Sequence, residues 1–251
     1  MRRAQLFVTC LVEHFRPDAG LAAARLLERL GVEVLVPDRL TCCGQPAFNG
    51  GFWPDARTMA RHTIEVLSQD EAPVVMPSGS CADMIVHHYP ELFPEQGATT
   101  AAERELAGRA RALAARTFEL SQFIVDVLGV ESVGARFAAK AVYHPSCHTL
   151  RGLGVDRQPR LLLAGVEGLH CVDLPNAETC CGFGGLFAVK MAAISGAMLD
   201  RKIDAIERSG AEVVVGADAS CLMHIAGGLH RHGSPVRTLH LAEVLAGEDR
   251  R

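Results

Sequence analysis

Short apolar runs alternate with longer amphipathic stretches in the first part of the chain, and this alternation predicts strands that alternate with helices. Three apolar runs predict β-strands, over residues 5–10, 32–37 and 72–77. Between the first two, residues 17–31 carry apolar side chains at helical spacing, and Pro17 and Gly31 are typical of a helix start and a helix end. A further helix is predicted over roughly residues 54–69.

The second part of the chain repeats this pattern. Its apolar runs cover residues 139–147, 169–175 and 211–221. Four cysteines repeat with them at offsets of 137, 138, 138 and 140 residues: Cys10 matches Cys147, Cys42 matches Cys180, Cys43 matches Cys181 and Cys81 matches Cys221. A fourfold match that includes an adjacent pair indicates a duplicated unit.

The duplication predicts an α/β fold of two similar halves related by a pseudo-two-fold axis. Each half is expected to be a small, mostly parallel sheet flanked by helices. We assign residues 1–95 to the first half and residues 136–251 to the second. The segment 96–135 between them is predicted to be a helical connector, which opens with a capping box from Thr100 to Glu103.

Composition narrows the class of protein. The chain has 251 residues, 49% hydrophobic and 22% charged, with a net charge of -4, so a globular core is expected and nucleic-acid binding is not. No apolar run reaches the roughly 18 residues of a spanning helix, and the N-terminal stretch lacks a signal-peptide pattern. A cytoplasmic protein is therefore expected. In that reducing compartment, nine cysteines favour metal binding or redox chemistry over a disulfide framework.

Each repeated cysteine is expected just after a strand, at or near the start of a helix. The carboxyl ends of parallel strands are where open α/β sheets bind ligands, and helix N-termini there favour the thiolate that ligates metal. We therefore predict a four-thiolate site in each half. Its candidate ligands are Cys10, Cys42, Cys43, Cys81, Cys147, Cys180, Cys181 and Cys221. Cys171 lies outside the repeat, in an apolar run, and is predicted to be a core residue.

The adjacent cysteines favour a polynuclear cluster over a single ion. Neighbouring residues of an extended strand point to opposite faces, so Cys42 and Cys43 reach one ion only through a sharp turn, which Gly44 permits. Zinc sites usually use C-x2-C pairs, and the sequence has none. An iron–sulfur cluster bound by four cysteines matches this pattern better than zinc does. We expect one or two clusters of the [4Fe–4S] type per chain. Zinc, or buried structural thiols without metal, remain the alternatives.

Several blocks extend the cysteine pattern into a family resemblance. They are "CCGQPAFNGG", "PSGSCADM", "YPELF", "ELSQFIVDVLG", "YHPSCHTLR", "CCGFGGLFAVKMAAISGAM" and "GADASCLMHI". The chain resembles the cysteine-rich CCG domain found in heterodisulfide reductase and in glycolate and glycerol-3-phosphate oxidising iron–sulfur subunits. It is most similar to the lactate utilisation protein A group. The resemblance implies cluster-binding CCG cysteines and a role in oxidising L-lactate to pyruvate. It also implies two partners, a ferredoxin-like iron–sulfur protein and a third lactate utilisation protein.

One departure from this resemblance concerns the last cysteine of each half. Heterodisulfide reductase-type domains carry a C-x2-C pair there, which supplies a fifth thiolate for a non-cubane cluster. Here the positions three residues beyond Cys81 and Cys221 are Met84 and His224. Four thiolates per half suffice for a cubane, and the non-cubane assignment is not carried over.

Polar residues near the second site provide further candidates. His148, His224 and also His144 are predicted to line it, as iron ligands, proton carriers or hydrogen-bond donors to cluster sulfur. Arg151 is a candidate for binding a substrate carboxylate. The first site has uncharged neighbours instead, namely Gln45, Asn49, Ser78 and Ser80.

Three functions are compatible with these features of the sequence. The leading hypothesis is an iron–sulfur electron-transfer subunit of a lactate-oxidising complex, an oxidoreductase component that needs partner proteins because clusters pass single electrons. The second is a zinc-stabilised assembly module. The third is a thiol–disulfide oxidoreductase that uses the vicinal cysteines.

Overall fold

The computed structural model describes residues 2–247 and contains two four-stranded sheets in which every strand pairing is parallel. The first sheet has the order β2-β1-β3-β4, and its strands are β1 (Arg2–Leu6), β2 (Val32–Leu35), β3 (Val74–Met76) and β4 (Thr117–Glu119). The second has the order β6-β5-β7-β8, and its strands are β5 (Arg136–His144), β6 (Glu167–Cys171), β7 (Val213–Gly216) and β8 (Arg237–His240). The two orders are the same, which confirms the predicted α/β fold of two similar halves. Met1 and residues 248–251 of the predicted segments lie outside the described residues.

Helices connect the strands and cover both faces of each sheet. In the first half they are α1 (Cys10–Phe15), α2 (Pro17–Arg29), α3 (Gln45–Asn49), α4 (Trp53–Leu67), α5 (Gly79–Asp83), α6 (Tyr89–Leu92), α7 (Ala101–Ala115) and α8 (Leu120–Gln122). In the second half they are α9 (Arg157–Ala164), α10 (Leu186–Lys190), α11 (Ala192–Ser209), α12 (Ala219–Arg231) and α13 (Leu241–Ala246). Three π-helical turns cover Met84–His88, Phe123–Val127 and His148–Gly152. Among the described residues, no helix is both long enough and apolar enough to cross a membrane.

Two sequence predictions need correction. The first strand ends at Leu6, so Cys10 begins helix α1 and does not end the strand. The segment 96–135 is not one continuous helix, although α7 has the predicted capping box at Thr100. After α7 the chain extends into β4, which pairs with β3 and completes the first sheet. The sequence did not reveal β4, because this strand has only three residues and the apolar residues on both sides of it have helical spacing. Its pairing with β3 is a tertiary interaction.

The largest apolar core lies between the two halves. Helix α2 of the first half packs against α13 of the second, where Leu26 and Leu27 join a buried cluster with Leu241 and Leu245. Helix α9, the counterpart of α2 in the second half, packs against α8 of the first. Separate apolar clusters cover the outer face of each sheet. These two contacts are equivalent, as a pseudo-two-fold axis requires, and together they hold the two sheets in one fixed arrangement.

A polar junction on the pseudo-axis brings the carboxyl ends of β3 and β7 together. Ser78 forms an antiparallel bridge with Asp218, its counterpart 140 residues later. The buried Asp218 carboxylate accepts hydrogen bonds from the backbone N–H of Ser220 (3.1 Å) in its own half and of Ser80 (2.8 Å) in the other half. One side chain therefore caps α12 and α5 together. Because the last cysteine of each half lies in these helices, the junction places the two cysteine sets side by side.

Candidate functional site

All eight repeated cysteines line one cavity of about 350 Å³ between the halves. Its cysteines are Cys10, Cys42, Cys43, Cys81, Cys147, Cys180, Cys181 and Cys221. None of them forms a disulfide. The sequence predicted one site in each half, and the structure places both sets on the walls of the same cavity. Gln45, Asn49, Ser78 and Ser80 also line it, as expected for neighbours of the first set.

The four cysteines of the first half form a continuous row of thiols. Cys42 contacts Cys10 on one side and Cys43 on the other, and Cys43 in turn contacts Cys81. The Cys42 sulfur also accepts a hydrogen bond from the backbone N–H of Gly44 at 3.5 Å. Hydrogen bonds from Cys10 and Cys43 lower the pKa of Cys42 to about 3, whereas the hydrogen bond to Cys42 and burial raise the pKa of Cys10. Cys42 is therefore the thiolate of this row.

The second half builds the same row. Cys180 lies between Cys147 and Cys181, and Cys181 contacts Cys221. The backbone N–H of Gly182 donates to the Cys180 sulfur at 3.3 Å, and hydrogen bonds from Cys147 and Cys181 lower the pKa of Cys180 to about 2. Each row thus holds one stabilised thiolate, the form that binds metal.

Glycine is required after each cysteine pair. Gly44 and Gly182 have φ angles of 89° and 92°, in the left-handed region that residues with side chains rarely adopt. A Cβ at Gly182 would also lie 2.7 Å from the carbonyl oxygen of Ser195 in α11. These turns let two adjacent cysteines, which alternate in an extended strand, face one cavity.

His144 distinguishes the second half from the first. It is buried, and neither ring nitrogen has a hydrogen-bond partner among the described residues. The ligand atoms of His144, Cys181 and Cys221 all lie within 4.8 Å of one another. Burial lowers the pKa of His144 to about 3, so the ring is neutral. His144 is absent from the cavity lining, whereas Cys181 and Cys221 both line it.

A buried lysine is the second difference. Lys202 of α11 is almost inaccessible, and its Nζ donates to the carbonyl oxygens of Asn176 (3.2 Å) and Ala177 (3.0 Å). Burial lowers its pKa, and the nearby second-row cysteines oppose that shift. In each half, the glycine after the cysteine pair lies close to a methionine of the next long helix: Gly44 to Met59 of α4, and Gly182 to Met198 of α11. Thr63 and Lys202 each lie four residues after these methionines, so they occupy equivalent positions. The second row therefore has a buried cation at a position where the first has a neutral hydroxyl.

The other predicted histidine positions have different outcomes. His148 lines the cavity, and its Nδ1 lies 2.7 Å from the Asp83 carboxylate of the first half, which raises the pKa of His148. His224 is outside the cavity lining, and its Nε2 lies 3.3 Å from the Ser195 hydroxyl. Its ring also meets the edge of Phe183. His148 therefore joins the two halves, while His224 supports the wall.

Arg151 and Cys171 are not among the residues that line the cavity. Arg151 is exposed and donates to the carbonyl oxygen of Glu178 at 2.9 Å. The prediction that Cys171 is a core residue is wrong, because its side chain is exposed. It ends β6, the edge strand of the second sheet, in which four of the five residues are exposed.

Three charged residues escaped the sequence analysis: Asp83, Asp218 and Lys202. A signal existed for Asp218, since an aspartate two residues before Ser220 is typical of a helix N-cap. Asp83 and Lys202 lie within helices, where charged residues usually face solvent, and their burial depends on contacts distant in the chain.

The donor set fits an iron–sulfur or zinc group. Eight free thiols, two of them with strongly lowered pKa values, line a cavity that also has apolar walls from Leu11, Leu186 and Val189. Soft thiolate ligands select zinc and iron–sulfur clusters over hard cations such as magnesium. Each row of four cysteines matches the four thiolates that bind one zinc ion or one iron–sulfur cluster.

The fold and the cavity define a duplicated, cysteine-rich α/β protein whose thiols meet between its halves. The model of the cysteine-rich CCG domain matches residues 4–86 and 141–226, one match in each half. The chain belongs to this family.

Curated relatives match over almost the whole chain. Identity to the lactate utilization protein A of Exiguobacterium sp. is 51%, over 98% of this chain and 97% of the relative. Identity to the Bacillus subtilis protein of the same name is 49%, over 97% of this chain and 98% of the relative. These relatives confirm the resemblance to that group. An aspartate racemase homologue from Pyrococcus horikoshii aligns with 98% of this chain and 95% of its own, at 9% identity and a TM-score of 0.31, too weak to carry an argument.

Proposed function

We propose that this protein is an iron–sulfur electron-transfer subunit in the oxidation of L-lactate to pyruvate. The observation that carries the proposal is the single cavity lined by eight repeated, free cysteines. The names of the relatives supply the substrate, since they are called lactate utilization protein A. The number of free thiols suits a reducing cytoplasm, which is the compartment we propose.

The chain's residues divide the work of holding the clusters. Cys42 and Cys180 provide thiolate ligands for iron, because hydrogen bonds from neighbouring cysteines lower their pKa values. The N–H groups of Gly44 and Gly182 donate to these sulfurs and offset negative charge. A bound cluster supplies single-electron transfer.

Lactate oxidation removes two electrons, so a chain that passes single electrons needs other proteins. The letter in the relatives' name indicates further lactate utilization proteins in the same system. We propose a ferredoxin-like iron–sulfur protein and a third lactate utilisation protein as partners. His148, which lines the cavity beside the cysteines, is the residue best placed to carry a proton there. Arg151 and His224 lie outside the cavity lining and are not assigned that role.

Anaerobic reconstitution with iron and sulfide tests the proposal. We expect iron and acid-labile sulfide in about equal amounts. The bound iron should give a visible spectrum that dithionite bleaches. A strain without the native protein should grow on lactate with the wild-type chain and fail with the Cys42→Ala and Cys180→Ala variants.

The competing functions give different results in the same experiment. Stoichiometric zinc in native material, with no redox-active signal, would favour an assembly module. A reversible two-electron thiol titration without metal would favour a thiol–disulfide oxidoreductase. Growth of both cysteine variants on lactate would overturn the proposed function.

A further inference from the structure

A buried histidine lies against the second row of cysteines with nothing to bind. Neither ring nitrogen of His144 has a hydrogen-bond partner among residues 2–247, and the side chain is 1% exposed. Leaving a buried polar group without a partner costs about 1–3 kcal/mol. Binding of a ligand by a ring nitrogen of His144, beside the two thiols, would offset this cost.

The spacing of the three side chains suits a common metal. The ligand atoms of His144, Cys181 and Cys221 lie within 4.8 Å of one another. Two ligands on one tetrahedral metal are roughly 3.7 Å apart, given metal–sulfur distances of about 2.3 Å. The imidazole of His144 therefore lies close enough to reach a metal centre that Cys181 and Cys221 hold. A neutral imidazole with a free lone pair is the form that ligates.

The first half shows what the same position looks like without a ligand. Leu6 pairs with Val75 in the first sheet, and Tyr143 pairs with Val215 in the second. Phe7, the residue after Leu6, is therefore the counterpart of His144. Phe7 is also completely buried, so an apolar ring packs well at this position and folding does not require a histidine.

We propose that His144 is a nitrogen ligand to the metal centre held by the second row of cysteines. The inference rests on the proposed function for the presence of that centre, and adds a donor to it. The second row then has five candidate donors for a four-iron cluster that takes one protein ligand per iron, so the imidazole takes the place of one thiolate: Cys147, Cys180, Cys181, Cys221 and His144. The first row has four thiolates only. The two centres of one cavity are thus chemically different.

Different ligation has an electronic consequence. Replacing thiolate by neutral imidazole at iron raises the reduction potential, because the centre carries less negative charge. Lys202 beside the second row acts in the same direction. We expect the second centre to be the more easily reduced of the two.

Isotope labelling tests the ligand directly. The anaerobically reconstituted full-length protein is prepared with histidine labelled with ¹⁵N in the imidazole ring, and the reduced centres are measured by pulsed electron paramagnetic resonance. Wild type should show a strong ¹⁵N coupling. His144→Phe, which copies Phe7, should lose it completely, whereas His224→Phe should retain it. His144→Cys should hold iron as wild type does, yet show no ¹⁵N coupling.

Each result separates the two proposals. Wild-type protein with a cluster but no imidazole coupling would overturn this inference alone. A coupling that persists in His144→Phe would do the same, since it would come from another histidine. Wild-type protein that forms no cluster would overturn the proposed function and this inference with it. If His144→Phe does not fold, as judged by circular dichroism, His144→Cys provides the same comparison.

Discussion

Glu119 makes the stability of this protein depend on pH. Its carboxyl group is fully buried at the end of β4, where Oε2 accepts hydrogen bonds from the backbone N–H groups of Ser121 (2.8 Å) and Gln122 (3.2 Å). Oε1 has no partner among the described residues. Burial raises the pKa of Glu119 from 4.5 to about 7. The fold therefore favours the protonated acid.

The sign and size of the effect follow from that pKa. Below pH 4.5 the carboxyl is protonated in both states, and its contribution to stability is fully present. As the pH rises, the unfolded chain ionises first, so the folded state loses stability until the pH exceeds about 7. Each pKa unit corresponds to about 1.4 kcal/mol, which gives a loss of about 2.5 kcal/mol between pH 5 and pH 8.

Glu119→Gln should remove this dependence, because the amide oxygen keeps the cap and the side chain no longer ionises. Urea unfolding of wild type and variant at pH 5, 6, 7 and 8, under anaerobic reducing conditions, measures the free energy of unfolding. The variant should gain about 2.5 kcal/mol relative to wild type across this range. Glu105→Gln, on the exposed face of α7, is the matched control and should follow wild type. Parallel profiles for wild type and Glu119→Gln would refute the reasoning.

Two further predictions concern the cavity and the junction between the halves. Cys42→Ala should lower the iron bound after anaerobic reconstitution, whereas Cys171→Ala, at the exposed edge of the second sheet, should leave it unchanged; equal losses would contradict the assignment. Gly79→Ala should destabilise the protein by about 1–3 kcal/mol in urea unfolding, because its Cβ would lie 2.8 Å from the Cβ of Thr149 across the junction. Gly108→Ala, in open space on α7, should stabilise by about 0.5–1 kcal/mol. A Gly79→Ala variant as stable as wild type would show that the junction is not tightly packed.

Much of the architecture was determined by the sequence alone. Helices α2 and α4 follow from apolar residues at helical spacing, and they begin and end within two residues of their predicted bounds. The repeat of four cysteines predicted two similar halves, because the duplicated sequence folds into the same strand order twice. Placement of the cysteine loops at the carboxyl ends of strands followed from the geometry of parallel sheets.

The tertiary structure decided what the cysteines have around them. That both rows share one cavity depends on the packing of α2 against α13 and on Asp218, which caps helices of both halves. The burial of His144 against two thiols and the exposure of Cys171 likewise depend on which strand lies at the sheet edge. Hydrophobic periodicity records which side of an element is covered, whereas these features depend on which distant element covers it. That choice is made only when the two halves pack together.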